Sequence, residues 1–177
     1  KASVVTDEIS NFTSNSIKLK SGKELDADLI VTATGLNLKL LGGVDLIVDG
    51  KTVEISSTMT YKSMMFSDVP NFISTFGYLN ASWTLKADLT SQYACRLINL
   101  MDKKSYKYCS PKIPSNVEED KDWLAADFSS GYIQRAKHLF PKQGNKAPWK
   151  NYQNYIKDSF DIKYNKLQDP SMKFYSK

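Results

Sequence analysis

The chain has 177 residues, with 24 basic and 19 acidic side chains, a formal net charge of +5 and 41% hydrophobic residues. This composition is typical of one folded globular domain, and it excludes a disordered or collagen-like chain. Apolar runs such as Leu29–Val31 are far shorter than the ~20 residues of a membrane helix, so we expect no membrane span.

The first 35 residues predict β-structure. Short apolar runs at Val4–Val5, Ile9–Phe12 and Ile17–Leu19, with a hairpin-like loop at Ser21–Lys23, predict an antiparallel meander. The next segment, Asp28–Gly35, is a continuous β-branched run that ends in small residues. This pattern predicts a strand buried on both faces, with its C-terminal end open to a ligand.

Further strands are predicted before residue 77. The Asp49-Gly50 pair predicts a tight turn between strands at Leu46–Val48 and Val53–Ile55. Another strand is predicted at Phe72–Phe76, followed directly by Gly77.

A helix is predicted next. Large apolar residues recur every three or four positions from Trp83 to Met101, which indicates an amphipathic helix from Ser82 to about Asp102, with Asn80 or Ser82 as its N-cap. A strand, a glycine turn and a helix in this order form the corner that holds cofactors in α/β folds.

This corner, Gly77–Lys86, is the candidate binding site. Glycine permits close backbone approach, Asn80, Ser82 and Thr84 supply short polar groups, and the helix N-terminus supplies free N–H groups with partial positive charge. Such a corner suits a carbonyl or a developing anion of a flat heterocycle. The alternative is a capped helix that only packs Trp83 into the core.

The remaining residues are polar and basic. Residues 103–121 contain Pro111 and Pro114, which predicts a loop, whereas Tyr132–Phe140 and Tyr152–Phe160 fit either short helices or extended segments. Residues 142–177 hold eight lysines and three aspartates, and aromatic side chains lie between them. Among the aromatic residues are Trp149, Tyr152, Tyr155, Phe160 and Tyr164.

The basic tail suggests an alternative function, a non-catalytic binding module for nucleic acid or an acidic partner. Because the lysines are scattered and no arginine accompanies them, we favour a solvated surface with the aromatic rings turned inward, and no nucleic-acid partner.

Few residues suit metal or nucleophilic chemistry. Cys95 and Cys109 form neither a disulfide framework nor a zinc motif, so we expect no metal site and a reducing, cytoplasmic compartment. We expect the lone histidine, His138, to be a half-buried structural residue, and the acidic run Glu118–Asp120 to be solvated. Neither a G-x-G-x-x-G nor a G-x-x-x-x-G-K-[ST] loop is present.

Several segments resemble flavin-dependent monooxygenases of the Baeyer–Villiger type, in the branch that includes the ethionamide-activating enzyme. Asp26–Leu36 resembles the segment that links the flavin and nicotinamide domains, and Gly77–Leu89 resembles the last strand–helix corner in contact with the flavin. The C-terminal region of the same branch is similar to Ser130–Arg135, Pro141–Gly144, Pro148-Trp149 and Gln153–Tyr155.

The resemblance implies a mixed α/β (α+β) fold. It would be an incomplete Rossmann-like portion for FAD and NAD(P), with an antiparallel meander, one long helix after the last flavin strand and an irregular C-terminal extension. The implied parts are residues 1–35 for the meander and linking strand, 36–102 for the end of the FAD domain and 103–177 for the extension.

The resemblance also implies an enzyme that uses FAD, NADPH and O2 to insert one oxygen atom into a ketone, or onto a sulfur or nitrogen centre, of a small molecule. No catalytic residue is assigned, since Arg96 and Arg135 match no catalytic arginine of the family. The implied cofactor-binding residues are Gly77, Asn80, Ser82, Trp83, Thr84 and Leu85 at the flavin, and Thr34 and Gly35, beside Thr32 and Ala33, at the domain junction.

The glycine fingerprints of the family for FAD and NADPH do not occur in this sequence. We therefore expect a C-terminal portion of a monooxygenase, inactive when alone. The predicted strands Leu29–Thr34 and Phe72–Phe76 would lack partner strands, which predicts self-association or partial disorder.

Overall fold

The computed structural model describes residues 2–123 and 130–176. By its internal contacts the chain divides into two units, Lys1–Leu36 and Asn37–Lys177. Within the described residues, every helix is too short or too polar to cross a membrane.

The first unit, Lys1–Leu36, contains the predicted antiparallel meander. Strands β1 (Ile9–Phe12), β2 (Ser16–Leu19) and β3 (Glu24–Asp26) pair in chain order. Ile17 lies opposite Phe12 on one side and Leu25 on the other, so the alternating residues set the register. The strand expected at Val4–Val5 is wrong, because this segment pairs with no neighbour in the described part of the unit.

The strand predicted at Asp28–Gly35 is also wrong. The segment has no regular secondary structure, and its apolar side chains are open to solvent, with Leu29 80% exposed. A strand with two apolar faces needs hydrogen-bonded neighbours and covering layers. The described residues of this unit provide neither to Asp28–Gly35.

The second unit, Asn37–Lys177, is organised around helix α1 (Trp83–Lys104). Ser82 is the N-cap, as predicted, and its Oγ accepts a hydrogen bond from the backbone N–H of Thr84 at 3.3 Å. The helix ends at Ser105, whose φ of 55° is left-handed. The buried face of the helix consists of Lys86, Leu89, Thr90, Tyr93 and Leu97.

Two short hairpins precede this helix. Strands β4 (Ile47–Val48) and β5 (Lys51–Thr52) flank the predicted Asp49-Gly50 turn, where both residues have positive φ. The second strand was expected at Val53–Ile55, so its predicted position is wrong by two residues. The other hairpin pairs β6 (Thr60–Tyr61) with β7 (Met65–Phe66).

The strand predicted at Phe72–Phe76 is not formed. The segment has no strand partner among the described residues, although Ser74 donates a backbone hydrogen bond to Met64 at 2.7 Å. Four of its five residues are half-buried, so its apolar character serves packing rather than a sheet.

The loop predicted over residues 103–121 is partly wrong. Strand β8 (Tyr108–Pro111) pairs antiparallel with β9 (Met172–Tyr175), with Cys109 opposite Phe174. Helix α2 (Gly131–Ala136) and helix α3 (Tyr155–Tyr164) lie between these strands in the sequence, and α3 packs against α1. Residues 124–129 of the predicted extension lie outside the described residues.

The core of the second unit lies between α1, α3 and the short strands, and it includes the indole of Trp149. The fold is therefore mixed α/β with antiparallel strands and one long helix, as predicted at that level. The buried residues of this core are Met59, Tyr61, Met64, Met65, Leu89, Tyr93, Leu97, Cys109, Trp149, Ile162 and Met172.

Candidate functional site

The predicted corner lies at the N-terminal end of α1. Asn80, Ser82, Trp83 and Thr84 are exposed, whereas Gly77 is buried and Leu85 is half-buried. The first turn of α1 carries no acidic side chain, so the partial positive charge of the helix N-terminus is not neutralised there. The corner therefore presents polar groups and an indole ring to solvent.

Gly77 is required by the position of Trp83. The indole lies so close to the Gly77 backbone that a Cβ at residue 77 would overlap the ring. The group that approaches the Gly77 backbone is thus the protein's own indole, and the approach of a cofactor to Gly77 stays a prediction. Trp83 remains 56% exposed, so it is not a core residue. The alternative interpretation, in which the helix only packs Trp83 into the core, is therefore wrong.

An apolar cleft of about 340 Å³ adjoins the corner. Its aromatic wall begins at Trp83, whose ring centroid lies 5.6 Å from that of Phe76, and Phe76 in turn contacts Phe140 edge to face at 6.4 Å. Leu38, Leu40 and Met64 are among the aliphatic lining residues. Clefts of this size and composition are typical of sites for small organic molecules.

The segment around Gln153 holds the corner in place. The side-chain oxygen of Gln153 accepts from the backbone N–H of Leu79 at 2.9 Å, and its backbone oxygen accepts from Asn80 Nδ2 at 3.1 Å. Two residues of the corner are therefore bound to one residue that precedes α3.

A buried ion pair forms a second connection between the corner and α3. Lys86 Nζ lies 2.7 Å from Asp158 Oδ2, and the hydroxyl of Tyr78 donates to the same oxygen at 2.7 Å. The Lys86 side chain is 2% exposed and that of Asp158 is 14% exposed. Burial, followed by the hydrogen bond to Asp158, raises the pKa of Tyr78 above its ordinary value, so the phenol stays protonated as the donor.

Thr34 and Gly35 belong to the first unit. Both are exposed, as are Thr32 and Ala33, and Gly35 has a positive φ of 84°. Their assignment to a domain junction stays a prediction.

Other candidates have structural roles or none. In the described residues no group of three metal-ligating side chains comes together. His138 is exposed rather than half-buried, and Arg96 Nη2 donates to the backbone oxygen of Asn165 at 2.9 Å, near the end of α3. In the acidic run, Lys142 pairs with Glu119 at 2.9 Å and Lys150 with Asp120 at 3.0 Å.

The aromatic residues of the basic tail do not form one stacking surface. Trp149 is fully buried, as expected, but Phe160 and Tyr164 are largely exposed, which contradicts the expectation that the rings all turn inward. The Lys157 ammonium lies 3.2 Å from the ring centroid of Tyr152. This arrangement does not favour the nucleic-acid alternative over the corner site.

Sequence reasoning assigned no site role to Phe140, Gln153 or Asp158, which contact the candidate corner or line its cleft from distant parts of the chain. One local signal was available for the ion pair. Lys86 lies on the apolar stripe of α1, and a lysine at such a position needs a buried carboxylate.

An apolar cleft beside the N-terminus of a capped helix, in a mixed α/β fold, is an arrangement suited to a small organic ligand. Comparison with known proteins shows which proteins the chain is similar to. The chain is 48% identical to the FAD-containing monooxygenase EthA of Mycolicibacterium smegmatis over 98% of its own length. It is 46% identical to EthA of Mycobacterium tuberculosis over the same share, and 47% identical over its full length to the probable FAD-binding monooxygenase AlmA of an Acinetobacter species.

The chain is therefore similar over almost its whole length to FAD-containing monooxygenases, and the resemblance to a C-terminal portion of that family is confirmed. It spans about 35% of the length of each of these relatives. No family model and no solved structure matches the chain.

Proposed function

We propose that the chain contributes the flavin-ring end of the cofactor site in an FAD- and NADPH-dependent monooxygenase. The observation that carries this proposal is the exposed indole of Trp83, beside an apolar cleft and at a helix N-terminus whose first turn carries no acidic side chain. The identity of 46–48% to FAD-containing or FAD-binding monooxygenases supports the same assignment.

The residues at the corner fit a flavin. A flat aromatic ring suits the wall of Trp83 and Phe76, and polar edge groups suit the side chains of Asn80, Ser82 and Thr84. The partial positive charge at the N-terminus of α1 would stabilise negative charge on the ring. When bound, FAD would supply hydride acceptance from NADPH and the activation of O2.

This chain's own residues would orient the ring and exclude water. Gln153 fixes the backbone at Leu79, and Asp158 fixes Tyr78 and Lys86 on either side of the corner. The cleft would admit an apolar small molecule, such as a ketone, sulfide or amine.

The proposal also includes a Rossmann-like fold for the complete cofactor domains and a division of this chain into three parts, with boundaries after residues 35 and 102. It further includes a cytoplasmic location, which the two free cysteines support.

A chimera tests the flavin assignment. This chain replaces the 174 matching residues of the Mycolicibacterium smegmatis relative, and the purified protein is measured for flavin absorbance per chain. We expect the chimera to retain FAD, and Trp83→Ala to weaken FAD affinity about tenfold because a stacking surface of 1–3 kcal/mol is lost.

Phe160→Ala is the matched control, because this ring is similarly exposed but does not line the cleft. Its FAD affinity should equal that of the parent chimera. A folded chimera that purifies without flavin, or one that loses flavin equally in both variants, would contradict the proposal. Oxidation of NADPH on addition of a sulfide or ketone tests the reaction itself.

Self-association is the second part of the proposal. Ile156, Phe160 and Tyr164 recur every fourth residue on α3 and are 70%, 62% and 75% exposed. Such an apolar stripe on a helix favours contact with another apolar surface. We expect the mass of the chain in sedimentation velocity to rise with concentration.

The double variant Ile156→Ser/Phe160→Ser should remain monomeric at concentrations where the natural chain associates. Ile98→Ser, which removes an exposed apolar residue from α1, is the control and should still associate. A natural chain of constant monomer mass would show that the stripe does not mediate self-association.

A further inference from the structure

A second cavity, of about 580 Å³, lies in the Asn37–Lys177 unit and is lined mainly by polar and charged residues. Its lining has only Ser63 in common with that of the apolar cleft. The proposed flavin chemistry makes no use of this cavity. Its volume lies within the range of small-molecule sites.

Cationic side chains outnumber carboxylates around this cavity. The lysines that line it are Lys62, Lys86, Lys146, Lys150 and Lys166. The aspartates are Asp158, Asp161 and Asp169.

The carboxylates already have partners. Asp158 pairs with Lys86, and Asp161 accepts a hydrogen bond from Asn165 Nδ2 at 2.9 Å. Asp169 accepts from the Tyr61 hydroxyl at 2.6 Å and from the backbone N–H of Ser171 at 2.8 Å. Lys150 pairs with Asp120, which does not line the cavity.

Three ammonium groups are left without a carboxylate. In the described part of the chain, Lys62, Lys146 and Lys166 form no ion pair within 4.0 Å and donate no side-chain hydrogen bond. Lys146 and Lys166 are exposed, whereas Lys62 is half-buried. An unpaired charge in a half-buried position is costly unless another group neutralises it.

Lys62 is also fixed in place. Its backbone adopts a positive φ of 51°, and its N–H donates to the Pro148 oxygen at 2.7 Å. Its Nζ lies 5.5 Å from the ring centroid of Tyr61. Burial lowers the pKa of Lys62, an effect that Asp169, Asp161 and Asp158 oppose from across the cavity.

We propose that this cavity binds a phosphate-bearing small molecule, whose phosphate oxygens accept hydrogen bonds from Lys62, Lys146 and Lys166. A phosphate group carries up to two negative charges and several acceptor oxygens, so it can neutralise several ammonium groups at once. Lysine binds phosphate as a point charge and needs no fixed bidentate geometry.

Calorimetric titration of inorganic pyrophosphate into the full chain tests this proposal. We expect saturable binding with one site per chain, and Lys62→Met should weaken the affinity about tenfold. Methionine keeps most of the length of the lysine side chain and removes a charge that burial disfavours, so this variant should fold. Far-UV circular dichroism checks that it does.

Lys173→Met is the matched control, because Lys173 is exposed on β9 and does not line the cavity. Its affinity should stay within about twofold of the natural chain, and Trp83→Ala should also bind pyrophosphate unchanged. The proposal is overturned by an absence of saturable binding at low salt, or by equal losses in Lys62→Met and Lys173→Met. If Lys62→Met does not fold, Lys166→Met decides between the same two outcomes.

Discussion

Asp158→Ala is expected to lower the free energy of unfolding by about 3–5 kcal/mol, because it leaves the Lys86 ammonium buried without a counter-ion. The same change removes the acceptor of the Tyr78 hydroxyl. Urea unfolding followed by far-UV circular dichroism measures the loss. In the chimera, the same variant should also retain less FAD, since the corner loses its connection to α3.

Two further variants isolate the ion pair. Asp161→Ala, on the same helix, removes a carboxylate whose hydrogen bond is to the exposed Asn165, and it should cost less than about 1 kcal/mol. The double variant Lys86→Met/Asp158→Asn removes both charges and should recover most of the stability lost in Asp158→Ala. If Asp158→Ala and Asp161→Ala cost the same, the buried pair does not hold the corner.

Local features of the fold could be predicted from the sequence. The Ser82 cap, the apolar stripe of α1, the meander around Ser21–Lys23 and the Asp49-Gly50 turn each depend on residues close together in the chain. For these elements the hydrogen-bonding partner lies within a few residues, so composition and spacing are sufficient.

Strand pairing between distant segments could not be predicted. Tyr108–Pro111 looked like a loop because its partner, Met172–Tyr175, lies more than sixty residues further along the chain. Asp28–Gly35 and Phe72–Phe76 have the composition of strands, but composition does not supply a neighbour to pair with. The same limit applies to the candidate site, because the sequence predicts the corner but not its contacts with Gln153 and Asp158.

Trp83 and Trp149, the tryptophans of the two family-like segments, are expected to differ in their effect on stability when each is replaced with alanine. Trp149→Ala should cost about 3–5 kcal/mol, because the indole is fully buried, contacts Tyr61 edge to face at 5.5 Å and donates its Nε1–H to Ser171 Oγ at 3.1 Å. Trp83→Ala should cost less than about 1 kcal/mol, because more than half of that side chain is already in water.

In the chimera, Trp83→Ala should reduce FAD affinity more than Trp149→Ala does, when only folded protein is compared. Trp83→Ala should remain folded and lose affinity for FAD, whereas Trp149→Ala should lose flavin only under conditions where circular dichroism also shows unfolding. Ser171→Ala, which leaves the Trp149 donor unpaired, should cost about 1–3 kcal/mol and leave FAD affinity unchanged. A Trp83→Ala variant as unstable as Trp149→Ala would make Trp83 a structural residue, because its exposed indole would then be needed to hold the corner itself.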